Sequence, residues 1–191
     1  MRVIAGEYRS RQLKAPDGQS TRPTSDRLRE TLFNVLSSRF GLSGAAFVDL
    51  YAGSGAVGIE AISRGAARVW MVEQAESAIR IIQANLNALG ISEGAHVEHS
   101  SVAAFLKRKQ SSVGEFGVVF LDPPYDAIKE YETTMEMLGG ESLKLLAPGA
   151  VVVAEHRKND KKVKLAEEYG GLRRTRVLEQ GDAALSFYAV V

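Results

Sequence analysis

The sequence predicts an α/β fold in which helices cover both faces of a Rossmann-like, mostly parallel sheet. From Phe47 onward, short apolar runs alternate with amphipathic segments, which is the pattern of successive βα units. Some runs, such as residues 117–121, are apolar throughout, as expected for strands buried on both faces. The last two runs, 176–179 and 184–190, are too close in sequence for a parallel crossover, so they predict an antiparallel C-terminal hairpin.

The core elements are expected in a regular order. Predicted strands before the hairpin lie at 47–51, 68–73, 96–100, 116–122 and 150–155. Predicted helices lie at 56–64, at 75–89, from the end of the third strand to about 109, and around 128–138. Gly90 directly follows the apolar face of the second helix and is a typical helix stop.

The start of the chain predicts an extension that packs on this core, which divides the chain into residues 1–42 and a Rossmann-like domain at 43–191. Residues 1–20 indicate a short β-hairpin or arm, because Pro-Asp-Gly at 16–18 is a strong turn signal. A helix follows, with apolar residues at helical spacing from Leu28 to Leu36 and with Thr24 or Ser25 as its N-cap.

The composition excludes several classes of protein. The 191 residues contain no cysteine, which excludes a disulfide scaffold, a thiolate metal site and a cysteine nucleophile. No apolar run approaches the ~20 residues that span a bilayer, and basic residues interrupt the N-terminus where a signal peptide would be apolar. A soluble, cytoplasmic protein without membrane partners is therefore expected. The three histidines lack the spacing of a metal site, so no metal is expected either.

A glycine-rich loop follows the first predicted strand of the core. Gly53, Gly55 and Gly58 match G-x-G-x-x-G between a strand and a helix, and Glu73 ends the second strand 20 residues after Gly53. Such glycines allow the backbone to turn tightly against a ligand, and the carboxylate can bind ribose hydroxyls. This arrangement predicts an adenosine-type cofactor.

Asp49, four residues before Gly53, distinguishes between the cofactors of this type. It lies at the end of the first strand beside the glycine loop, where a carboxylate would repel the pyrophosphate of NAD. It would instead attract the ammonium and sulfonium groups of S-adenosyl-L-methionine. We therefore expect S-adenosyl-L-methionine as the cofactor, and an NAD-dependent oxidoreductase is disfavoured.

A second motif, Asp122-Pro123-Pro124-Tyr125, ends the fourth predicted strand. Strands of open α/β sheets bind ligands at their carboxyl ends, so this motif is expected to face the same crevice as the glycine loop. The prolines remove two backbone donors and leave a rigid rim of acceptors. Asp122 and the Pro123 carbonyl can accept both protons of an exocyclic base amine, which activates its nitrogen toward a methyl group, and Asp122 can take the released proton. Tyr125 can stack on an extruded base.

Three segments together resemble the small-subunit ribosomal RNA guanine-N2 methyltransferase family (RsmD-type): DLYAGSG at 49–55, DPPY at 122–125 and TRPT at 21–24. The resemblance covers essentially the whole chain. DPPY is shared with adenine-N6 methyltransferases and so specifies methylation of an amine rather than the base, whereas R-P-T is more specific to the family. The resemblance implies a class I S-adenosylmethionine-dependent methyltransferase fold with a seven-stranded sheet, and a guanine of 16S rRNA in the small ribosomal subunit as methyl acceptor.

The resemblance also implies roles for individual residues. The catalytic corner comprises Asp122, Pro123, Pro124 and Tyr125. The candidate cofactor contacts are Asp49, Tyr51, Ala52, Gly53, Ser54, Gly55, Glu73, Gln74, Ser101 and Val102. Ser101 marks a departure, because many methyltransferases have Asp or Asn at the end of the third strand. By the resemblance, Arg22 and Thr24 would lie near both the cofactor and the RNA. Independently of the resemblance, Arg9, Arg11 and Lys14 are candidate RNA contacts, because they lie on the basic arm and the RNA must reach a base-modifying site.

Two other functions remain open at this point. An adenine-N6 methyltransferase acting on DNA or RNA would use the same DPPY motif, although the chain has no inserted target-recognition domain with which to read duplex DNA. A non-catalytic RNA-binding factor in ribosome assembly would keep the glycine loop and the basic arm, and Asp122 would then be dispensable.

Overall fold

The computed structural model of the chain describes residues 1–15, 25–124, 127–158, 163 and 165–191. Five α-helices and eight strands occur in these residues. The helices are α1 (Asp26–Arg39), α2 (Ala56–Ser63), α3 (Glu76–Leu89), α4 (Val102–Arg108) and α5 (Ile128–Gly139). The strands are β1 (Ala46–Asp49), β2 (Arg68–Glu73), β3 (Ala95–His99), β4 (Phe116–Leu121), β5 (Leu146–Arg157), β6 (Glu168–Tyr169), β7 (Leu172–Gln180) and β8 (Ala183–Val190).

All the strands belong to one sheet, in the order β3-β2-β1-β4-β5-β8-β7-β6. Strands β1 to β5 pair in parallel, and β8 pairs antiparallel with both β5 and β7. The predicted α/β class, with a mostly parallel sheet and an antiparallel C-terminal hairpin, is confirmed. The two-residue β6 adds an eighth strand, because the chain just before β7 folds back on the start of that strand.

The strand order reverses between β1 and β4, which opens a crevice at their carboxyl ends. Two apolar clusters lie on either side of the sheet. One packs α1, α2, α3 and the N-terminal arm against one face, and the other packs α4 and α5 against the opposite face. The crevice is therefore held by a sheet that is buried on both sides.

The ends of several elements follow directly from single residues. Ser25 caps α1, since its hydroxyl accepts a hydrogen bond from the Leu28 N–H at 3.2 Å. Gly90 ends α3 in the left-handed conformation, as predicted. Gly58 lets α2 pack closely on β2, because a side-chain carbon there would lie 2.5 Å from Cγ of Met71.

Strand β7 begins four residues earlier than the predicted 176–179. The pairing register with β8 shifts between Arg174 and Arg176, which is a β-bulge at Thr175. The bulge changes the alternation of side chains partway along the strand, so the sequence does not show one continuous period of two across it. For this reason the basic run before the bulge did not resemble a strand.

The N-terminal arm, residues 1–15, forms a smaller hairpin than predicted, with one antiparallel bridge between Arg2 and Gln12. Its main anchor is the fully buried carboxylate of Glu60 in α2, which accepts from the N–H groups of Ile4 at 2.8 Å and Ala5 at 3.0 Å. The predicted turn at 16–18 lies outside the described residues. No helix within the described ranges has the length and apolar character needed to cross a membrane.

Candidate functional site

Asp49 ends β1 at the crevice and is almost completely buried, with 1% of its surface exposed. Neither of its carboxylate oxygens has a hydrogen-bond partner among the described residues. A buried charged group without a partner is unfavourable, and such groups in folded proteins usually serve a function. The Asp49 carboxylate is therefore available to a ligand that supplies a donor or a positive charge.

Burial raises the pKa of Asp49 from its ordinary value of 3.8 to about 7, because the charged form loses its hydration. The negative charges of Glu73 and Glu155 raise the pKa further. The N–H groups of Gly58 and Tyr51 lie close enough to lower it, although neither forms a hydrogen bond of ordinary geometry to the carboxylate. In the free protein Asp49 is thus part-protonated near neutral pH, and a cationic ligand would favour its charged form.

The glycine loop turns sharply between β1 and α2. Gly53 and Gly55 both have positive φ, 54° and 79°, and Gly55 is the N-cap of α2. L-residues with side chains rarely adopt this conformation, so glycine is required for the tight turn. Ala52 and Ser54 are buried within the loop, and the Ala52 N–H donates to the Val72 carbonyl at 2.9 Å.

Glu73 holds the glycine loop against the end of β2. One carboxylate oxygen accepts from the Gly53 N–H at 2.9 Å, and the other accepts from the N–H groups of Gln74 and Ala75, both at 2.7 Å. A carboxylate has about four acceptor positions, so these three bonds leave room for about one more donor. Glu73 thus organises the loop in the free protein and retains limited capacity for the ribose hydroxyls predicted from the sequence.

Tyr51 connects the glycine loop to α5 rather than pointing freely into the crevice. Its hydroxyl lies 2.9 Å from a carboxylate oxygen of Glu130 and 2.7 Å from the hydroxyl of Thr134. Burial, together with the neighbouring Glu130, raises the pKa of Tyr51 above its ordinary value. The phenol is therefore neutral and helps to hold α5 beside the loop.

The predicted catalytic corner begins directly after β4, beside the end of β1. Leu50 and Phe120 connect the two strand ends, since the Leu50 N–H donates to the Phe120 carbonyl at 2.9 Å. Asp122 is half-buried, Pro123 is buried and Pro124 is exposed, whereas Tyr125 lies outside the described residues. The structure thus places Asp122, Pro123 and Pro124 directly after the strand that pairs with the one carrying Asp49.

The Pro123 carbonyl is held by Tyr131, a buried residue of α5. The Tyr131 hydroxyl lies 3.0 Å from the Glu155 carbonyl and 3.3 Å from the Pro123 carbonyl. This contact connects the ends of β4 and β5 beyond their last paired residues, Leu121 and Ala154. The Pro123 oxygen keeps a second lone pair, so it can still accept from a substrate amine.

The remaining predicted cofactor residues lie at the rim of the site. Ser101 is exposed and caps α4, because its hydroxyl accepts from the Ala104 N–H at 3.3 Å. Val102 is buried in the first turn of α4, and Gln74 is exposed at the end of β2. Ser101 can still donate its hydroxyl proton to a ligand while it caps the helix.

The basic residues of the arm lie along α2 and α3, with Lys14 near the glycine loop and with Arg9 and Arg11 toward the C-terminal ends of the two helices. Arg9, Arg11 and Lys14 are all exposed, and the Arg11 guanidinium donates to the Ala88 carbonyl at 3.0 Å. The structure therefore brings Lys14 close to the loop and leaves Arg9 and Arg11 further from it along the same face. The other two predicted RNA contacts, Arg22 and Thr24, lie outside the described residues.

Sequence reasoning missed the residue that joins the arm to the glycine loop. Asn85 of α3 is 2% exposed, and its side-chain amide donates to the carbonyls of Ser54 at 3.0 Å and Lys14 at 3.1 Å. Its side-chain oxygen accepts from the Lys14 N–H at 2.8 Å. The available signal was an asparagine directly before Leu86 on the apolar face of α3, where a polar residue needs a buried partner.

The chemistry of these residues fits S-adenosyl-L-methionine. The unpartnered carboxylate of Asp49 suits an ammonium group, and Glu73 and Glu155 make the surroundings more negative, which favours a cation and disfavours a pyrophosphate. No group of three His, Cys, Asp or Glu side chains within the described part of the chain is arranged to hold a metal ion.

Comparisons with known proteins show the family to which the chain belongs. A family model described as "Conserved hypothetical protein 95" matches residues 1–189. The chain is 36% identical over 188 residues to "Putative rRNA methyltransferase YlbH" of Bacillus subtilis (strain 168), and the match covers 98% of each protein. It is 39% identical over 125 residues to "Ribosomal RNA small subunit methyltransferase D" of Escherichia coli (strain K12), which covers 65% of this chain and 60% of that relative.

A solved structure shows the same architecture along the whole chain. "Putative methyltransferase yhhF from Escherichia coli" matches with a TM-score of 0.80 at 30% identity, covering 98% of this chain and 96% of that one. The family resemblance and the fold class predicted from the sequence are both confirmed by these matches.

Proposed function

Because the chain belongs to the conserved hypothetical protein 95 family, which includes ribosomal RNA small subunit methyltransferase D, we propose that it methylates 16S rRNA. S-adenosyl-L-methionine is the methyl donor, and the acceptor is the exocyclic N2 amine of a guanine. The observation that carries this proposal is the buried, unpartnered carboxylate of Asp49 on the strand beside the acceptor rim of Asp122 and Pro123.

Each residue of the site has a distinct task in this proposal. Asp49 binds the ammonium group of the donor, and Glu73 binds a ribose hydroxyl while it keeps the glycine loop in place. When bound, S-adenosyl-L-methionine supplies an electrophilic methyl group on a positively charged sulfur. Asp122 and the Pro123 carbonyl accept the two amine protons of the base, which directs the nitrogen lone pair away from the ring. Asp122 then takes the proton that the amine loses.

The arm supports RNA as the substrate. Lys14 is exposed near the glycine loop, to which Asn85 connects it, and Arg9 is exposed further along the arm, so both can contact phosphates of an RNA whose target base is extruded. Asn85 fixes the arm to the loop through Ser54, so the RNA contact and the cofactor site are built on the same support. The name of a relative supports the small-subunit substrate, and the resemblance of the motifs supports the guanine preference.

The test incubates purified protein with labelled donor and with small ribosomal subunits, or naked 16S rRNA, that lack this family's methylation. Mass analysis of the digested RNA identifies the product nucleoside, and N2-methylguanosine is expected. Asp122→Ala should abolish transfer and leave donor affinity within a few-fold. The matched control is Glu93→Ala, which removes an exposed carboxylate at the opposite end of the sheet. N6-methyladenosine as the product, or full activity in Asp122→Ala, would contradict the proposal.

A further inference from the structure

A small pocket opens between the end of α1 and the C-terminal hairpin, away from the site described above. It has a volume of about 120 Å³ and is lined by apolar side chains and by two arginines. We call it the arginine pocket, and its residues are Val35, Arg39, Phe40, Thr175, Arg176 and Phe187.

The bulge in β7 is what brings the second arginine to this pocket. Arg174 faces Tyr188 on the side of the sheet covered by α4 and α5, whereas Arg176 is opposite Phe187 on the side covered by α1. In a regular strand, residues 174 and 176 would point to the same face, because side chains alternate with a period of two. Bulges are frequent where a strand re-aims one side chain, and this one re-aims Arg176 to the side of the sheet covered by α1.

The two arginines of the pocket differ from their neighbours in β7. Arg173 forms an ion pair with Glu168 at 2.7 Å, and Arg174 pairs with Glu167. Within the described ranges, neither Arg39 nor Arg176 forms an ion pair, and Arg39 is exposed. The pocket therefore presents two positive charges that are free to bind an anion.

We propose that the arginine pocket binds one nucleotide of the RNA substrate, a few positions away from the methylated base. The two guanidinium groups would bind its phosphate, and its base or sugar would lie on the apolar floor formed by Val35, Phe40 and Phe187. A volume of this size suits one flat ring and is too small for the helix of a protein partner. This inference rests on the proposed RNA substrate and identifies a second surface that contacts it.

The position of the pocket agrees with a nucleotide near the target. Leu185 of β8 faces Glu155 at the crevice end of β5, and Phe187 lies two residues further along β8. Two residues along a strand are about 7 Å, and β7 is about 10 Å from β5 across the sheet. RNA bound at Asp122 can therefore reach the pocket within a few nucleotides, on the face of the sheet that also carries the arm.

The experiment measures the affinity for naked 16S rRNA by fluorescence anisotropy at several salt concentrations. The variant Arg39→Ala/Arg176→Ala is compared with Lys107→Ala/Lys144→Ala, which removes the same charge from two exposed lysines on the opposite face. We expect the arginine variant to bind about tenfold more weakly than the control and to lower the salt slope by about one to two. Arg176→Lys should keep most of the salt slope, and the melting temperature and donor affinity should stay unchanged in all variants.

The outcomes separate this inference from the proposed function. If the wild type methylates 16S rRNA but the arginine variant binds RNA like the lysine control, the pocket is not an RNA site. If the arginine variant loses affinity for RNA while the wild type shows no methyl transfer, the pocket stands and the proposed reaction fails. If the arginine variant loses affinity for intact small subunits but keeps its affinity for naked rRNA, the pocket binds a ribosomal protein and the proposal is overturned. A wild type that does not bind 16S rRNA would also overturn the proposal.

Discussion

Replacing Asp49 with asparagine separates a ligand-binding role of this carboxylate from a structural one. Asparagine has nearly the same shape but carries no charge, so the variant keeps the packing of the crevice and loses the buried negative charge. If Asp49 exists to bind a cationic donor, the variant should bind the donor less tightly and should also fold more stably. A carboxylate with a purely structural role predicts the opposite change in stability.

The size of the stability effect follows from the raised pKa. The folded protein holds the Asp49 proton more tightly than the unfolded chain does, since the pKa is about 7 in the fold and 3.8 in its ordinary environment. Stability contributed by a raised carboxyl pKa is present at low pH and is lost as the pH rises from the lower value to the higher one. The full difference corresponds to about 4 kcal/mol of unfolding free energy.

Urea unfolding of both proteins without the donor measures this effect. Between about pH 5 and about pH 8 the wild type should lose about 2–3 kcal/mol relative to Asp49→Asn, because the variant has no such titration. Calorimetry should show that the donor binds Asp49→Asn about 10–100-fold more weakly, the value of one charged hydrogen bond. In the wild type the donor affinity should fall about tenfold for each pH unit below about 7, because only the ionised carboxylate attracts the donor.

Two results would refute the reasoning. Asp49→Asn could prove less stable than the wild type at both pH values, which would make the carboxylate a structural group with partners. Alternatively, the variant could bind the donor with unchanged affinity and the same dependence on pH, which would place the positive charge of the donor elsewhere.

Three further variants test the supports of the site. Tyr131→Phe should lower kcat for methyl transfer about tenfold and leave the donor Kd unchanged, since it frees the Pro123 carbonyl to turn. An unchanged kcat would show that the Pro123 carbonyl does not need the Tyr131 hydroxyl. Glu60→Ala should cost about 3–5 kcal/mol in urea unfolding, because it leaves Arg29 buried beside two freed N–H groups of the arm, and a loss below about 1 kcal/mol would contradict this. Arg9→Ala/Arg11→Ala should weaken binding to 16S rRNA and reduce its salt dependence, whereas an unchanged salt slope would remove the arm from the RNA contact.

The sequence was most informative where chemistry depends on residues that are close along the chain. The order of strands and helices, the glycine turn and the cap of α1 all depend on local patterns, and the structure shows each of them. Asp49 and Asp122 could be assigned to one crevice because parallel strands of such sheets end at the same edge. Local patterns and the topology of parallel strands determine these features, so a single sequence is enough to infer them.

Contacts that depend on side chains from distant segments could not be inferred in this way. Tyr131 was part of an amphipathic helix, and nothing in its spacing indicates that its hydroxyl reaches the carbonyl of Pro123. Glu60 and Asn85 are polar residues on buried helix faces, which signals a partner but does not identify it. The bulge at Thr175 is set by the pairing of two strands, and it decides which face receives Arg176.

The charge distribution at the crevice connects these findings. Asp49 is buried beside two other carboxylates, so the free protein holds mutually repelling groups where burial already disfavours charge. Three N–H donors to Glu73 offset part of this cost, whereas within the described residues no donor forms a hydrogen bond of ordinary geometry to Asp49. A cationic ligand removes both penalties at once, by supplying a partner to Asp49 and by screening its neighbours. Donor binding and folding stability should therefore be strongly coupled, with the largest ligand-induced rise in melting temperature above pH 7, where the unliganded carboxylate is most costly.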